Sequence, residues 1–352
     1  MQLHERDAIG DHRVKHTRSI LMAITLAILL GFTLTGSLAL GAVKLSIGEI
    51  ARIMAGKCSG SPQRYAGIPQ GLVAVLWELR LPRIISAMLC GAGLAVSGVI
   101  FQALLQNPLA DPYTLGISTG AAFGASLAIF LSVSAGIVFS VPLFALAFAA
   151  LTLVLVLLIA ARGGGMESGS LIMSGIIVSA ILSAGISFMK MLSGENVGAI
   201  VFWLMGSLSA KTWSDAALLM AIIPPASIGA AWFSSHLNIL ALGSRDAQAL
   251  GVQVHLTRFL YLLLAAGITA ACVSVCGIIG FVGLIVPHLL RMACTADNRL
   301  LIPLSALAGG LLLCVADNGA RLLGTGEIPV GVLTTLLGGP FFIFMFIRRR
   351  TC

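Results

Sequence analysis

Three short patterns in this 352-residue chain have the residue types and spacing of chemical sites. Gly116, Ser118 and Gly120 spell G-x-S-x-G, which presents a nucleophilic serine when a strand leads in, a helix leads out and a histidine and an acid lie within reach. Here the pattern opens an apolar run, and Gly120 with Gly124 continues as G-x-x-x-G, the spacing of closely packed membrane helices. Cys272 and Cys276 stand one helical turn apart, as a metal pair or as two small apolar side chains would. The seven cysteines form no paired motif and the six histidines no HExxH-like spacing, so neither a disulfide framework nor a metal site is expected. Asp317 and Arg321 share one helix face inside an apolar run, where an ion pair relieves the cost of burying charge in lipid. No G-x-x-x-x-G-K-[ST] loop occurs, since the Gly56-Lys57 pair is followed by Cys58, so this chain binds no ATP and any ATP drive must come from another subunit.

The elements that hold these residues are membrane helices. Apolar residues make up 58% of the chain and charged ones 10%, against about 25% in soluble domains. At about 20 apolar residues per crossing, ten spans are expected, at roughly 20–42, 84–105, 113–132, 139–161, 170–191, 214–234, 256–276, 278–293, 300–323 and 330–347. The eighth is short and contains Pro287, and 195–210 reads as a partial helix outside the core. Residues 1–19 form a tail and 20–348 the transmembrane domain; the first apolar run is too long for a signal-peptide core and reads as an uncleaved span. Ten spans put both termini on one side. If that side is the cytoplasm it carries 12 of the 21 Lys and Arg residues, and six of the other nine fall in one outer loop, 43–83. The bias outside that loop follows the positive-inside tendency. The net charge of +8 is therefore read as topology and docking, and no basic, aromatic-interleaved patch suggests nucleic acid.

Three polar islands interrupt the apolar runs. "FQALLQNPLADPYTLGIS", 101–118, crowds two prolines, Asn107 and Asp111 between two spans. The outer loop opens with a helix whose Ser46 and Glu49 have capping-box spacing and whose Ile47, Ile50, Ile53 and Met54 form a stripe suited to a membrane surface. On the inner side, "SSHLNILALGSRDAQALGV" reads as two short cytoplasmic helices broken at Gly243, the second capped by Ser244 with Asp246 in its first turn and Gly251 beyond its end.

"LRLPRIISAMLCGAGLAVSGVIFQALLQNPLADPYTLGISTGAAFGA", "LNILALGSRDAQALGV", "GIIGFVGLIVPHLLR" and "ADNGARLLGTGEIPVGVLTTLLGGPFF" together resemble the permease subunits of bacterial type II ABC importers for iron-siderophores, haem and cobalamin, the FecCD family, over residues 80–347. The resemblance implies an all-α integral membrane protein of ten transmembrane helices per subunit, like the cobalamin-importer permease, working as a homodimer in the bacterial inner membrane. It further implies two cytoplasmic ATP-binding subunits that carry the ATP and Mg, and a periplasmic substrate-binding protein. It places a cytoplasmic gate at Asn107 and Leu109 in the turn after span two, and at Ser168 and Gly169 before span five; Gly169 stands where the cobalamin permease has a hydroxyl residue. Arg80, Arg83 and Arg321 match arginines that meet glutamates of the binding protein, Arg321 near the loop 324–328. Residues 237–250 match the helices that insert into the ATPase, with Asn238, Ser244, Arg245, Asp246 and Gln248 as polar contacts and Leu240 and Leu242 as apolar anchors. Lys44, Arg52, Lys57 and Arg64 are left as solvated surface. The expected function is inward movement of a ferric siderophore, with haem or cobalamin as alternative cargo, and with no covalent chemistry on this chain. Gln102, Ser118 and Asn196 are the candidate polar side chains of the pathway. An ion-coupled carrier using Asp317, or an intramembrane hydrolase using Ser118, are the readings of other classes.

Overall fold

The structure is a computed structural model that describes residues 2–41, 43–323 and 328–348. In chain order its helices are α1 (Gln2–Ala39), α2 (Ile47–Cys58), α3 (Gln70–Ala74), α4 (Leu81–Leu104), α5 (Ile117–Ala135), α6 (Val141–Arg162), α7 (Ser168–Leu192) and α8 (Val197–Leu204). They continue as α9 (Trp213–Trp232), α10 (Ser234–Leu240), α11 (Ser244–Ala249), α12 (Val254–Cys276), α13 (Val282–Ala293), α14 (Asn298–Leu322) and α15 (Val330–Arg348). Among the described residues there is no strand. Among the described residues eight segments are long and apolar enough to cross a bilayer, and α13 and the apolar part of α15 are shorter, giving the ten-helix pattern the sequence predicts.

α4 is the central post. Every residue from Gly93 to Leu105 is buried, and α14, α12, α9 and α13 pack around it. In lipid, helices associate through close packing and hydrogen bonds rather than by escape from water, and α4 does this through paired glycines. A Cβ on Gly91 would stand 2.2 Å from the carbonyl oxygen of Gly309 in α14, and one on Gly98 only 1.9 Å from that of Gly283 in α13. The G-x-x-x-G reading of Gly120 and Gly124 describes the same kind of contact, because their Cβ positions would overlap Thr152 and the Phe144 carbonyl of α6.

Several boundaries differ from expectation for local physical reasons. The predicted tail is helical from Gln2, continuous with the first span. The outer loop ends sooner than residue 83, because Gln70–Leu104 is one continuous run in which Val75–Arg80 forms a π turn ahead of Pro82. Proline has no N–H to give the carbonyl four residues back, and a widened turn absorbs the missing bond. α2 has the predicted capping box, with Ser46 Oγ accepting from the Glu49 N–H and the Glu49 carboxylate from the Ser46 N–H. The same bonds hold Glu49 below the ordinary carboxylate range. Its stripe, however, turns onto protein: Ile53 is fully buried with Leu45, Ile68, Val73 and Leu76, whereas Ile47 is 82% exposed. The eighth span is only Val282–Ala293; residues 277–281 ahead of it are non-helical, and Phe281 has φ +67°. The break at 205–212 is tied to the end of α12 just before that stretch by Ser207 N–H to Cys276 O at 2.8 Å, and to the start of α15 by Gly331 N–H to Gly206 O at 3.1 Å. Irregular backbone at membrane depth survives where protein satisfies it in this way.

Candidate functional site

At the end that carries residues 105–116, the predicted gate residues come together. Asn107 follows the last turn of α4; its Oδ1 accepts the Leu109 N–H at 2.9 Å, and Ala110 N–H closes on Asn107 O at 3.0 Å. Asparagine forms such a turn with its own backbone, which leaves Leu109 at the tip, 42% exposed. Asp111 anchors the second half by accepting from the Tyr113 and Thr114 N–H groups at 3.0 and 3.1 Å. Burial pushes its carboxyl up to about 6, against the opposing pull of those two bonds. The second predicted gate segment lies alongside: Ser168, first residue of α7, donates to Leu104 O at 3.5 Å, and Gly169 is exposed with open space around it.

The inner helix pair forms at the same end, divided between two faces. Leu237, Leu240 and Ala247 are buried beneath it. Leu242, Arg245, Asp246 and Gln248 are exposed. Three of the residues expected to reach the ATPase are turned inward instead. Leu240 is core; Asn238 donates to Asp297 Oδ1 at 2.6 Å and accepts the Asn298 N–H at 2.9 Å at the start of α14; and Ser244 Oγ accepts from Arg258 Nη2 at 3.0 Å. Ser244 therefore does not cap α11: Gly243 occupies the cap position, and its φ of +115° suits only glycine.

At the opposite end the three predicted docking arginines are engaged inside the protein. Arg83 donates from Nη2 to Asp317 Oδ1 at 2.9 Å and from Nε to Oδ2 at 3.1 Å, and Arg321 Nε stands 3.4 Å from the same Oδ2. Arg321 also donates to the carbonyls of Ser37 and Leu40 and to Asn318 Oδ1, while Arg80 donates to Leu38 O at 2.6 Å and to Val43 O. α1 ends with no basic residue in its last turn. Its orphan carbonyls and negative dipole end are met by arginines from the π turn and α14. The sequence shows the Asp317–Arg321 half of this knot and misses Arg83, because nothing local links residues 234 positions apart. Residues 324–327 of the loop beside Arg321 lie outside the described residues.

The remaining candidates are scattered. Gln102 is buried and bonded to Arg291 of α13 and to the carbonyls of Gly283 and Leu284; Ser118 is buried in α5; Asn196 is exposed at the far end of α7. Cys272 faces Cys90, its thiol donating to the Cys90 carbonyl at 3.6 Å in fully buried helix packing.

The arrangement is a bundle of apolar helices with an interrupted turn at one end, and its relatives are transport subunits. The FecCD transport family profile matches residues 27–348. The chain is 40% identical to the cobalamin import system permease of Halobacterium salinarum, over 81% of this chain and 76% of that one. It is 37% identical to the molybdate import system permease of Haemophilus influenzae, over 92% and 94% of the two chains. To the hemin transport system permease of Yersinia pestis it is 40% identical, over 78% and 84%. Among solved structures, a metal-chelate type ABC transporter in an inward-facing conformation aligns with a TM-score of 0.80 at 34% identity, over 93% of this chain and 98% of that one. The chain thus belongs to the FecCD transport family, as a membrane-embedded ABC importer permease that is not itself an enzyme, its ATPase being a separate subunit.

Proposed function

We propose that this permease carries a ferric siderophore inward across a bacterial inner membrane, as one of two identical copies, with both termini in the cytoplasm. Two ATPase subunits, holding the ATP and Mg, grip the exposed side of α10 and α11, and a periplasmic binding protein delivers the chelate to the end built from residues 43–83. The observation that carries this reading is the placement of Leu109 and Asn107, on an interrupted and nearly uncharged turn, at the same end as the exposed Leu242, Arg245, Asp246 and Gln248. A gate that must release its cargo gains from having no fixed charge to bind it. A pre-assembled chelate as cargo, rather than a bare cation, is supported by relatives named for cobalamin, hemin and iron citrate.

The docking role of Arg80, Arg83 and Arg321 requires an exchange of partners. An incoming glutamate reaches these guanidiniums by replacing Asp317 or the carbonyls at the end of α1, so docking would loosen that helix end.

The test is purification of the tagged chain from its host in mild detergent, with mass spectrometry of co-purifying proteins and of any bound ligand. A soluble ATPase at about one copy per permease is expected, and Leu242→Asp combined with Arg245→Glu should remove it while the permease stays folded. Recovery of the chain alone, even after cross-linking, would overturn the reading; haem or a corrinoid on the accompanying binding protein would replace the siderophore.

A further inference from the structure

Two side chains outside every predicted set connect the inner helix pair to the two gate turns. Gln106 stands immediately before the gate residue Asn107 with a left-handed φ of +49°, unusual for a residue with a Cβ. That backbone aims its side chain away from the turn, and Nε2 donates to Leu240 O at 3.1 Å. Leu240 ends α10, and its carbonyl, which also accepts the Gly243 N–H at 3.2 Å, takes this second bond from the residue just beyond α4. Arg258, in the first turns of α12, is 6% exposed. It donates through Nη2 to Ser244 Oγ of α11 at 3.0 Å and through Nη1 to Met166 O at 3.2 Å, two residues before Ser168.

Together with the Ser168–Leu104 bond these contacts make a closed circuit. It runs from α10 through Gln106 to the end of α4, across to the start of α7, and back through Met166 and Arg258 to α11. We propose that Gln106 and Arg258 are the positioning residues that carry displacement of the inner helix pair to the gate. The inference rests on the importer reading and adds to it the specific route of coupling. Each bridge ends on the helix pair at one side and within two residues of a gate position at the other. A shift of α10 and α11 therefore pulls on both turns at once, whereas the buried apolar contacts under the pair have no direction along which to pull. The guanidinium is the stronger tie, since a charged donor in a low-dielectric site makes a firmer bond than an amide.

The experiment uses the purified complex of permease and ATPase, with Leu109→Cys as a thiol reporter in a background carrying Cys58→Ser and Cys352→Ser. Maleimide labelling of the reporter is compared between nucleotide-free and vanadate-trapped complexes. A clear difference is expected without further substitution. In Gln106→Leu, a change at an exposed residue, and in Arg258→Met, ATPase should stay bound and hydrolyse ATP while the labelling difference shrinks at least five-fold. An undiminished difference in Gln106→Leu and Arg258→Met overturns the proposal. Absence of a bound ATPase, or of any nucleotide-dependent labelling before Gln106 or Arg258 is changed, overturns the importer reading and this inference with it.

Discussion

The two ends of the bundle use polar residues in opposite ways. At the end of α1, three arginines and Asp317 face one another and the helix's last carbonyls, and what they hold together is the chain itself. At the other end the turn 105–116 has one carboxylate, Asp111, and no cation, yet its tip and the outer side of the helix pair are open. Exposure rather than charge therefore marks where a partner can bind. A buried guanidinium bonded within its own chain is a structural rivet until something displaces its partner, whereas Leu242 and Arg245 are available as they stand.

Removing the carboxylate at the centre of the knot tests that contrast most severely. Asp317→Asn would remove the carboxylate that Arg83 and Arg321 share, and breaking a buried pair by removing one partner costs about 3–5 kcal/mol. The solubilised protein should lose thermal stability by that order, and the released end of α1 should become open to protease. Asp317→Leu with Arg83→Met, which removes both partners of the bidentate pair, should recover much of the loss. Unchanged stability in Asp317→Asn would mean that the knot is held by the carbonyl contacts alone.

At the gate end the matching test is titration of Asp111. Its native pKa of about 6 lies above the ordinary carboxylate value, so the folded state binds the extra proton. Its contribution to stability is fully present below pH about 4 and is lost as pH rises through 6, with an upper bound of about 3 kcal/mol for a shift of this size. Asp111→Asn keeps an oxygen to accept from Tyr113 and Thr114 and carries no charge. It should flatten the melting temperature between pH 4 and 7 and raise it at pH 8. A variant that keeps the wild-type pH profile would place the titration elsewhere.

Much of this architecture is legible in the sequence, and what is not has a common cause. Apolar windows of bilayer length give the ten helices, the Asn and Pro residues give the break after α4, and Ser46 with Glu49 gives the start of α2, because each signal lies within a few residues of its effect. The helical run from Gln70 to Arg80 was hidden by Trp77, Glu78 and Arg80, which read as loop and become helical only because the π turn points Arg80 at α1. Arg83 with Asp317, Arg258 with Met166 and Gln106 with Leu240 are pairings across the fold, and no periodicity in one segment reports its partner in another. Arg258 did carry a signal of another kind, as a cation inside an apolar run with no acid one turn away.

The smallest expected effect concerns the cations that the knot leaves free. Lys44, Arg52 and Arg64 are exposed, while Lys57 lies 5.7 Å over the ring of Trp77 at the edge of a cavity lined by Tyr65, Ile68 and Glu78. These four cations outnumber the two carboxylates of the segment, Glu49 and Glu78, so the surface at this end is basic. If an acidic binding protein docks here, these side chains steer it and set the encounter rate, and they contribute little to the fold. Lys44→Glu, Arg52→Glu and Arg64→Glu combined should leave thermal stability within about 0.5 kcal/mol, as surface changes do. The same variant should slow association with the cognate binding protein about ten-fold at low salt, a difference that fades as the Debye length shortens. Measured by surface plasmon resonance across a salt series, that result would assign steering to the exposed cations and architecture to the buried arginines. An unchanged association rate would reverse the assignment: the knot itself would then have to open to the partner, and binding should be accompanied by protease sensitivity at the end of α1.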